Sequence, residues 1–196
     1  MQLRHGKTPT QTRALERVER VLTGAADVFA ERGYAKATTN RIAERAGVHV
    51  PSVYQYFANK DALLAELWDR HVGELMDLLA MMIADPSQAP IAETAKLYVS
   101  AMLDMHAAKP ELFAVLYAQA PRLAGVRDVR AEATALLSPY LEYHRSSLRP
   151  TDLKTAAFVL AAAVEGVARQ AVIPPAPSRQ SLIGELTALV THYLGV

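Results

Sequence analysis

The chain contains no cysteine, which excludes disulfides and thiolate metal sites and suits a reducing cytoplasm. Long apolar runs are missing as well. The longest, Ala156 to Val164, is nine residues and stops at Glu165, whereas a membrane span needs about 20. The opening stretch MQLRHGKTPTQTR has no apolar core of a secretory signal. Catalytic sets are equally scarce. The six histidines (His5, His49, His71, His106, His144, His192) are scattered, with neither HExxH nor a pair at i, i+4 to hold zinc. Glu142 and His144 stand two apart on a helical pattern and point to different faces. Without a phosphate-cradling glycine loop either, the chain is expected to be no enzyme, with no metal and no cofactor. Strand alternation, internal repeats and low-complexity tracts are also missing, which leaves an all-α reading.

What is present is an ordinary globular balance: 196 residues, 51% apolar and 21% charged. That length suffices to bury a real core. A net charge of +1 hides an asymmetry. Residues 1–60 hold ten Lys or Arg against five acids, and residues 61–196 hold eleven against fifteen. A basic end on an acidic body suits a protein of which one end meets phosphate, although chance clustering gives the same count.

The most informative stretch is TTNRIAERAGVHVPSVYQYFANK, Thr38 to Lys60. Thr38 or Thr39 can cap a short helix whose apolar side is Ile42, Ala43 and Ala46. Gly47 follows the last periodic residue, where a left-handed conformation favours glycine. Val48 can plug the gap to a second helix, with Pro51 in its first turn and Val53 and Phe57 on its buried side. Ser52, Tyr54, Gln55 and Tyr56 remain on the other side, and at least one of the two tyrosines must face outward. Helix, glycine turn, helix with a polar outer face is the helix-turn-helix plan, whose second helix enters the DNA major groove.

Around this stretch the chain reads in order. Residues 1–12 are polar and aperiodic, an arm expected to be disordered, either brushing phosphates through Arg4, His5 and Lys7 or simply solvated. Val18, Val21, Leu22, Ala25, Val28 and Phe29 form one stripe over a helix from Arg13 to Arg32, which Gly33 ends. Asn59 can cap a long helix, with Asp61 in its first turn; its pattern runs from Leu63 to Ile83 and stops at Asp85-Pro86. Five more helical segments are expected, at 91–107, 111–120, 122–148, 151–173 and 178–195. Prolines mark the breaks, and Pro139 should kink or split the third. The organisation read from this is an arm (1–12), a DNA-binding head (13–58) and a helical body (59–196).

Several of these residues together resemble the N-terminal domain of the TetR family of bacterial transcriptional repressors. They are Ala25-Ala26, Phe29-Ala30-Glu31-Arg32-Gly33-Tyr34, Thr38-Thr39, Ile42-Ala43, Ala46-Gly47-Val48, Ser52-Val53-Tyr54-Gln55-Tyr56-Phe57, Asn59-Lys60 and Leu63. The resemblance spans residues 13–67. It implies a homodimer with a three-helix DNA-binding head and a body that binds a small molecule. His49-Val50-Pro51 departs from the family's usual small polar, variable, glycine sequence, which leaves the operator open. By this resemblance the DNA-contacting positions are Thr39, Asn40, Val50, Pro51, Ser52, Tyr54, Gln55, Tyr56 and Lys60. Thr39, Tyr54 and Lys60 suit phosphate oxygens, which fix register. Asn40, Gln55 and Tyr56 can reach base edges, and Val50 and Pro51 can pack on a thymine methyl. Arg41 and Arg45 either add backbone contacts or solvate the helix.

In the body, Trp68, His71, Met102, Met105, His106, Phe113, Tyr117, Tyr140, Tyr143, His144, Glu165 and Gln170 are candidates to line an effector cavity, since methionine and aromatic side chains adapt to irregular apolar ligands. For any single one of them, ordinary core packing is the stronger account. Glu165 interrupts the most apolar helix, so it pairs with an arginine, caps a dimer seam or meets a ligand. Residues 151–195 carry many small side chains followed by a broad apolar stripe from Leu182 to Leu194. Such a pair can form a four-helix seam with a two-fold mate, or pack inside one subunit. The expectation is a cytoplasmic homodimeric repressor, released from a near-palindromic operator by a small, largely apolar molecule. The alternative is a dimeric DNA-binding protein whose body has no effector pocket.

Overall fold

The chain turns on a 24-residue helix, α4 (Lys60–Ile83), whose first turns lie in one end of the molecule and whose last turns lie in the other. The computed structural model describes residues 9–196, and among them it has nine α-helices and no strand. Of the arm expected over residues 1–12, residues 1–8 lie outside the described residues, and α1 (Pro9–Lys36) takes in the rest. Gly33 breaks α1 as its sequence position predicts. Its φ of 69° and ψ of 168° lie in a region open essentially to glycine, and one further turn follows to Lys36.

Local chemistry sets the helix ends in the head. Thr38, rather than Thr39, caps α2 (Thr39–Ala46): its hydroxyl accepts the Arg41 N–H at 3.3 Å. Gly47 is left-handed, at φ 63° and ψ 39°, and turns the chain so that the Val48 N–H reaches the Ala43 carbonyl at 3.0 Å. Recognition helix α3 (Val50–Tyr54) carries Pro51 in its first turn and stops at Tyr54, earlier than the apolar spacing to Phe57 suggests. There the backbone tightens, with the Tyr56 N–H on the Val53 carbonyl at 3.1 Å, and folds Phe57 under the head. Asn59 then caps α4, its side chain accepting the Ala62 N–H at 2.9 Å.

The body is built from α5 (Ile91–Ala107), α6 (Pro110–Gln119), α7 (Val129–Tyr143), α8 (Leu153–Ala171) and α9 (Arg179–Leu194). The helix expected over 122–148 is regular only from Val129 to Tyr143. Asp128 accepts the N–H groups of Arg130 and Ala131 at 3.0 and 3.1 Å and so fixes a later start. Pro139 removes one backbone bond from α7 without splitting it. α1 packs against α2 and α6, α4 against α5 and α7, α7 against α8, and α5 against α9. One apolar core runs unbroken from Val21 and Phe29 through Leu63, Leu64, Trp68 and Val72 to Met102 and Leu186. Head and body therefore share buried surface along α4. No helix among the described residues is long and apolar enough to cross a membrane.

Part of the stripe on α9 packs within its own subunit. Ile183, Leu186, Val190 and Leu194 are at most 7% exposed, buried within the subunit. Ala156, Ala157, Ala161 and Ala168 of α8 are buried as well, which lets its neighbours approach closely. Phe158, Val159, Ile173 and Leu189 stay outside, between 37% and 50% exposed.

Candidate nucleic-acid interface and effector cavity

The outer surface of the helix-turn-helix is polar and aromatic. Tyr54 and Tyr56 are 52% and 37% exposed, so both face outward, while Val53 and Phe57 on either side of this run are buried. Asn40, Pro51 and Gln55 are exposed; Thr39, Val50, Ser52 and Lys60 are half-buried. The Thr39 and Tyr54 hydroxyls lie 2.9 Å apart, joining α2 to α3 and presenting two oxygens side by side. Lys60 folds back on the end of α1. Its ammonium donates to the Tyr34 carbonyl at 2.9 Å and sits 4.1 Å from the centre of the Tyr34 ring. It also donates to the Ala37 carbonyl at 3.5 Å, which leaves one of its three protons for another acceptor. The Tyr34 hydroxyl donates to Asp61. Burial, with the adjoining carboxylate adding to it, pushes this phenol up to about 12. Arg45 is already committed: it is bidentate to Glu31 at 2.6 Å and lies 3.5 Å from Asp27. Arg41 donates to the Lys36 carbonyl. Both arginines brace the head.

In the body, α4, α5, α7, α8 and α9 surround a cavity of about 90 Å³ that opens partly to solvent. Of the residues expected to line it, Met102, Tyr117, Tyr140 and Glu165 do so. Most of its wall is aliphatic, with Leu75, Leu79 and Ile83 contributed by α4. Sequence reasoning passed over these leucines because a cavity wall and a packed core share one helical pattern. Tyr98 was also missed, though it stands one turn before Met102 on the same face of α5. Glu165 resolves its three alternatives in part. It accepts from Arg169 at 3.2 Å, lies 4.0 Å from Arg130, and lines the cavity.

Other candidates gather beside the cavity rather than on its wall. The Nε2 atoms of His71 and His106 are 3.1 Å apart, and the Tyr117 hydroxyl lies 3.4 and 3.3 Å from them. Phe113 packs on both imidazoles, at 4.6 and 4.9 Å between ring centres, and Trp68 lies edge-on to Tyr117 at 5.3 Å. Burial holds His71 down to about 3, with its imidazole neighbour adding to this, and His106 down to about 4. Both rings are therefore neutral at physiological pH. The Trp68 indole donates to the Arg127 carbonyl at 2.9 Å. Met105 is half-buried against the core, and Gln170 is exposed. Tyr143 is 61% exposed, and His144 meets both it and Tyr140 edge-to-face, outside the cavity wall.

Comparison with known proteins matches this two-part architecture segment by segment. Residues 21–67 match the family model described as bacterial regulatory proteins, tetR family. Residues 90–194 match the tetracyclin repressor-like C-terminal domain, more than half of the chain. The chain belongs to the TetR family. Among curated relatives, the HTH-type transcriptional activator FasR of Mycolicibacterium smegmatis is 43% identical over 61 residues, 31% of this chain and 28% of that protein. The HTH-type transcriptional repressor SCO4008 of Streptomyces coelicolor is 31% identical over 98 residues, 50% of this chain and 46% of that protein. The chain thus matches less than half the length of either. Among solved structures, the fatty acid degradation regulator FadR of Bacillus halodurans superposes with a TM-score of 0.74 at 21% identity, covering 94% of this chain and 96% of that one. A TetR-like regulator from Rhodococcus reaches a TM-score of 0.68 at 26% identity, covering 89% and 93%. The TetR family is one of DNA-binding transcriptional regulators and not of enzymes. Members of the family typically dimerise.

Proposed function

We propose that this TetR-family regulator is a cytoplasmic homodimeric repressor that leaves a near-palindromic operator when a small, largely apolar molecule enters its body. The observation that carries this reading is the double role of α4. Its capped start, Asn59-Lys60, follows the recognition helix after a short turn and is held to the end of α1 through Tyr34, and its later residues Leu75, Leu79 and Ile83 are cavity wall. A ligand in the cavity grips this lever from Leu75 onward, about one turn beyond His71. A ligand that spreads α4 from α7 and α8 tilts a rod whose other end supports α3. Two recognition helices must keep one spacing to reach both half-sites, so a tilt of a few ångströms loses contacts on both.

On the DNA, Thr39, Tyr54 and Lys60 hold phosphates, while Asn40, Gln55 and Tyr56 read base edges and Val50, Pro51 and Ser52 fit against them. A body without an effector pocket is the poorer account, because the body's helices leave between them a cavity walled almost wholly by aliphatic and aromatic side chains, with Glu165 and Thr94 among its few polar groups. The test is operator affinity measured with and without saturating effector. Coupling of about 1–3 kcal/mol is expected, and by reciprocity operator DNA must weaken effector binding by the same factor. Selected operators should show dyad symmetry, with half-sites about one helical turn apart or a multiple of it. Unchanged affinity, or sites without a dyad, would overturn the proposal.

A further inference from the structure

The chemistry of the cavity narrows what can fill it. Its wall is mainly aliphatic, with Leu79, Leu137 and Val164 typical of it. Among the described residues that line it there is no Lys, Arg or His, and Glu165 is its one charged side chain. Glu165 is already matched by Arg169 at 3.2 Å and Arg130 at 4.0 Å, and both arginines extend toward solvent, 45% and 43% exposed. A ligand carboxylate would lose its hydration and meet an anion whose neighbouring cations are engaged. A ligand cation would lose its hydration too, with the only carboxylate on the wall already paired. The surroundings disfavour charge in the protein itself: burial pushes the Tyr98 phenol up to about 12 and raises that of Tyr117 as well.

One polar group on this wall stands apart. The Tyr140 hydroxyl is buried and makes no hydrogen bond, in a residue 7% exposed. Tyr117, by contrast, is held by the two imidazoles. Buried hydroxyls are ordinarily paired, and leaving one unpaired is destabilising unless something else supplies the partner. Tyr140 lines the cavity, so a ligand can be that partner.

We propose that the cavity takes an uncharged, chiefly hydrocarbon molecule bearing a single hydroxyl or carbonyl oxygen, and that the Tyr140 hydroxyl recognises that oxygen. The proposal rests on the reading of the cavity as an effector site and names the class of effector.

Three probes of one chain length separate the possibilities: decanol, decanoate and decyltrimethylammonium. Each is titrated calorimetrically, below its aggregation limit, into the whole chain and into its Tyr140→Phe variant. Decanol should bind about tenfold or more tighter than either ion, a difference set by desolvating the charge. Tyr140→Phe should weaken decanol by about two- to tenfold, the worth of one neutral hydrogen bond. The unliganded variant should melt no lower than the parent, since it loses only an unpaired hydroxyl, and should bind operator equally well. A merely structural tyrosine would instead lower the melting temperature and leave decanol affinity unchanged. Tighter binding of decanoate or of the ammonium, binding of none of the probes, or decanol affinity indifferent to Tyr140→Phe would overturn the assignment. The effector reading fails separately. Decanol that binds without weakening the operator complex keeps the ligand class and removes the effector role; release by decanoate and not by decanol does the reverse.

Discussion

At the scale of single residues, local chemistry was legible and long-range pairing was not. Thr38, Gly47, Pro51 and Asn59 announce their roles through neighbours within four positions, and each cap or turn forms as its residue type demands. Lys60 and Arg45 take partners 26 and 14 residues away, so no pattern in the chain could assign their side chains in advance. The buried imidazole pair is likewise invisible in sequence, because His71 and His106 stand 35 residues apart. Its consequence for stability has a definite sign. Both rings have folded-state values below the ordinary 6.5, so the unfolded chain binds more protons in acid. Stability is full above about pH 6.5 and falls as the pH drops from there toward the depressed values of about 4 and 3. At pH 5 the loss should be roughly 2 kcal/mol for each ring. Chemical denaturation between pH 7 and pH 5 measures it, against a variant with both histidines replaced by leucine. That variant should show a flatter profile over the same interval; equal slopes would mean that the rings are not held neutral by burial.

At the scale of elements, the helices were readable wherever a proline or a capped start bounded them, and α7 was not. Pro121 resembles a helix opening, and the true start lies at Asp128, where a side chain captures two backbone N–H groups. What holds the intervening residues is Arg127. Its backbone N–H reaches the Asp69 side chain at 2.9 Å, its guanidinium reaches the Asp69 carbonyl at 3.1 Å and pairs with Glu132, and its carbonyl accepts the Trp68 indole. This fastens the start of α7, a cavity wall, to the middle of α4 by polar contacts as well as by packing. On the proposed release mechanism, movement of that wall is passed to the rod that leads back to the recognition helix. Arg127→Ala keeps the backbone contacts and removes those of the guanidinium. With the side chain about a third exposed, the stability loss should be modest, on the order of 1 kcal/mol. Effector and operator should each bind the variant about as before. The ratio of operator affinities without and with effector should shrink several-fold. An unchanged ratio would mean that coupling runs through α4 packing alone.

At the scale of the whole molecule, assembly decides whether the head can work at all. One recognition helix of five residues offers few contacts, and specificity over two half-sites requires two heads at a fixed separation. The sequence marks 151–195 as apolar enough for a seam, yet it does not separate side chains that face a partner from those that face their own subunit. Burial makes that separation. Leu186 is 3% exposed inside the subunit, so a charge there tests folding and not pairing. Phe158, half exposed on α8, and Leu189, 45% exposed on α9, are the outward apolar side chains through which two copies can meet. The guanidinium of Arg130 lies over the Phe158 ring, 5.7 Å from its centre. Phe158→Asp and Leu189→Asp should therefore leave the helical fold and its melting largely intact while halving the mass seen in sedimentation. Leu186→Asp should unfold the chain, because it buries an unpaired charge. Loss of pairing removes the tethering of the second head, which is worth about 10²- to 10⁴-fold in avidity. Operator affinity of the two surface variants should fall on that scale, and a single half-site should be bound as weakly by the parent as by the variants. Dimers that survive both substitutions would move the seam off this face of α8 and α9, and with it the spacing that the release mechanism depends on.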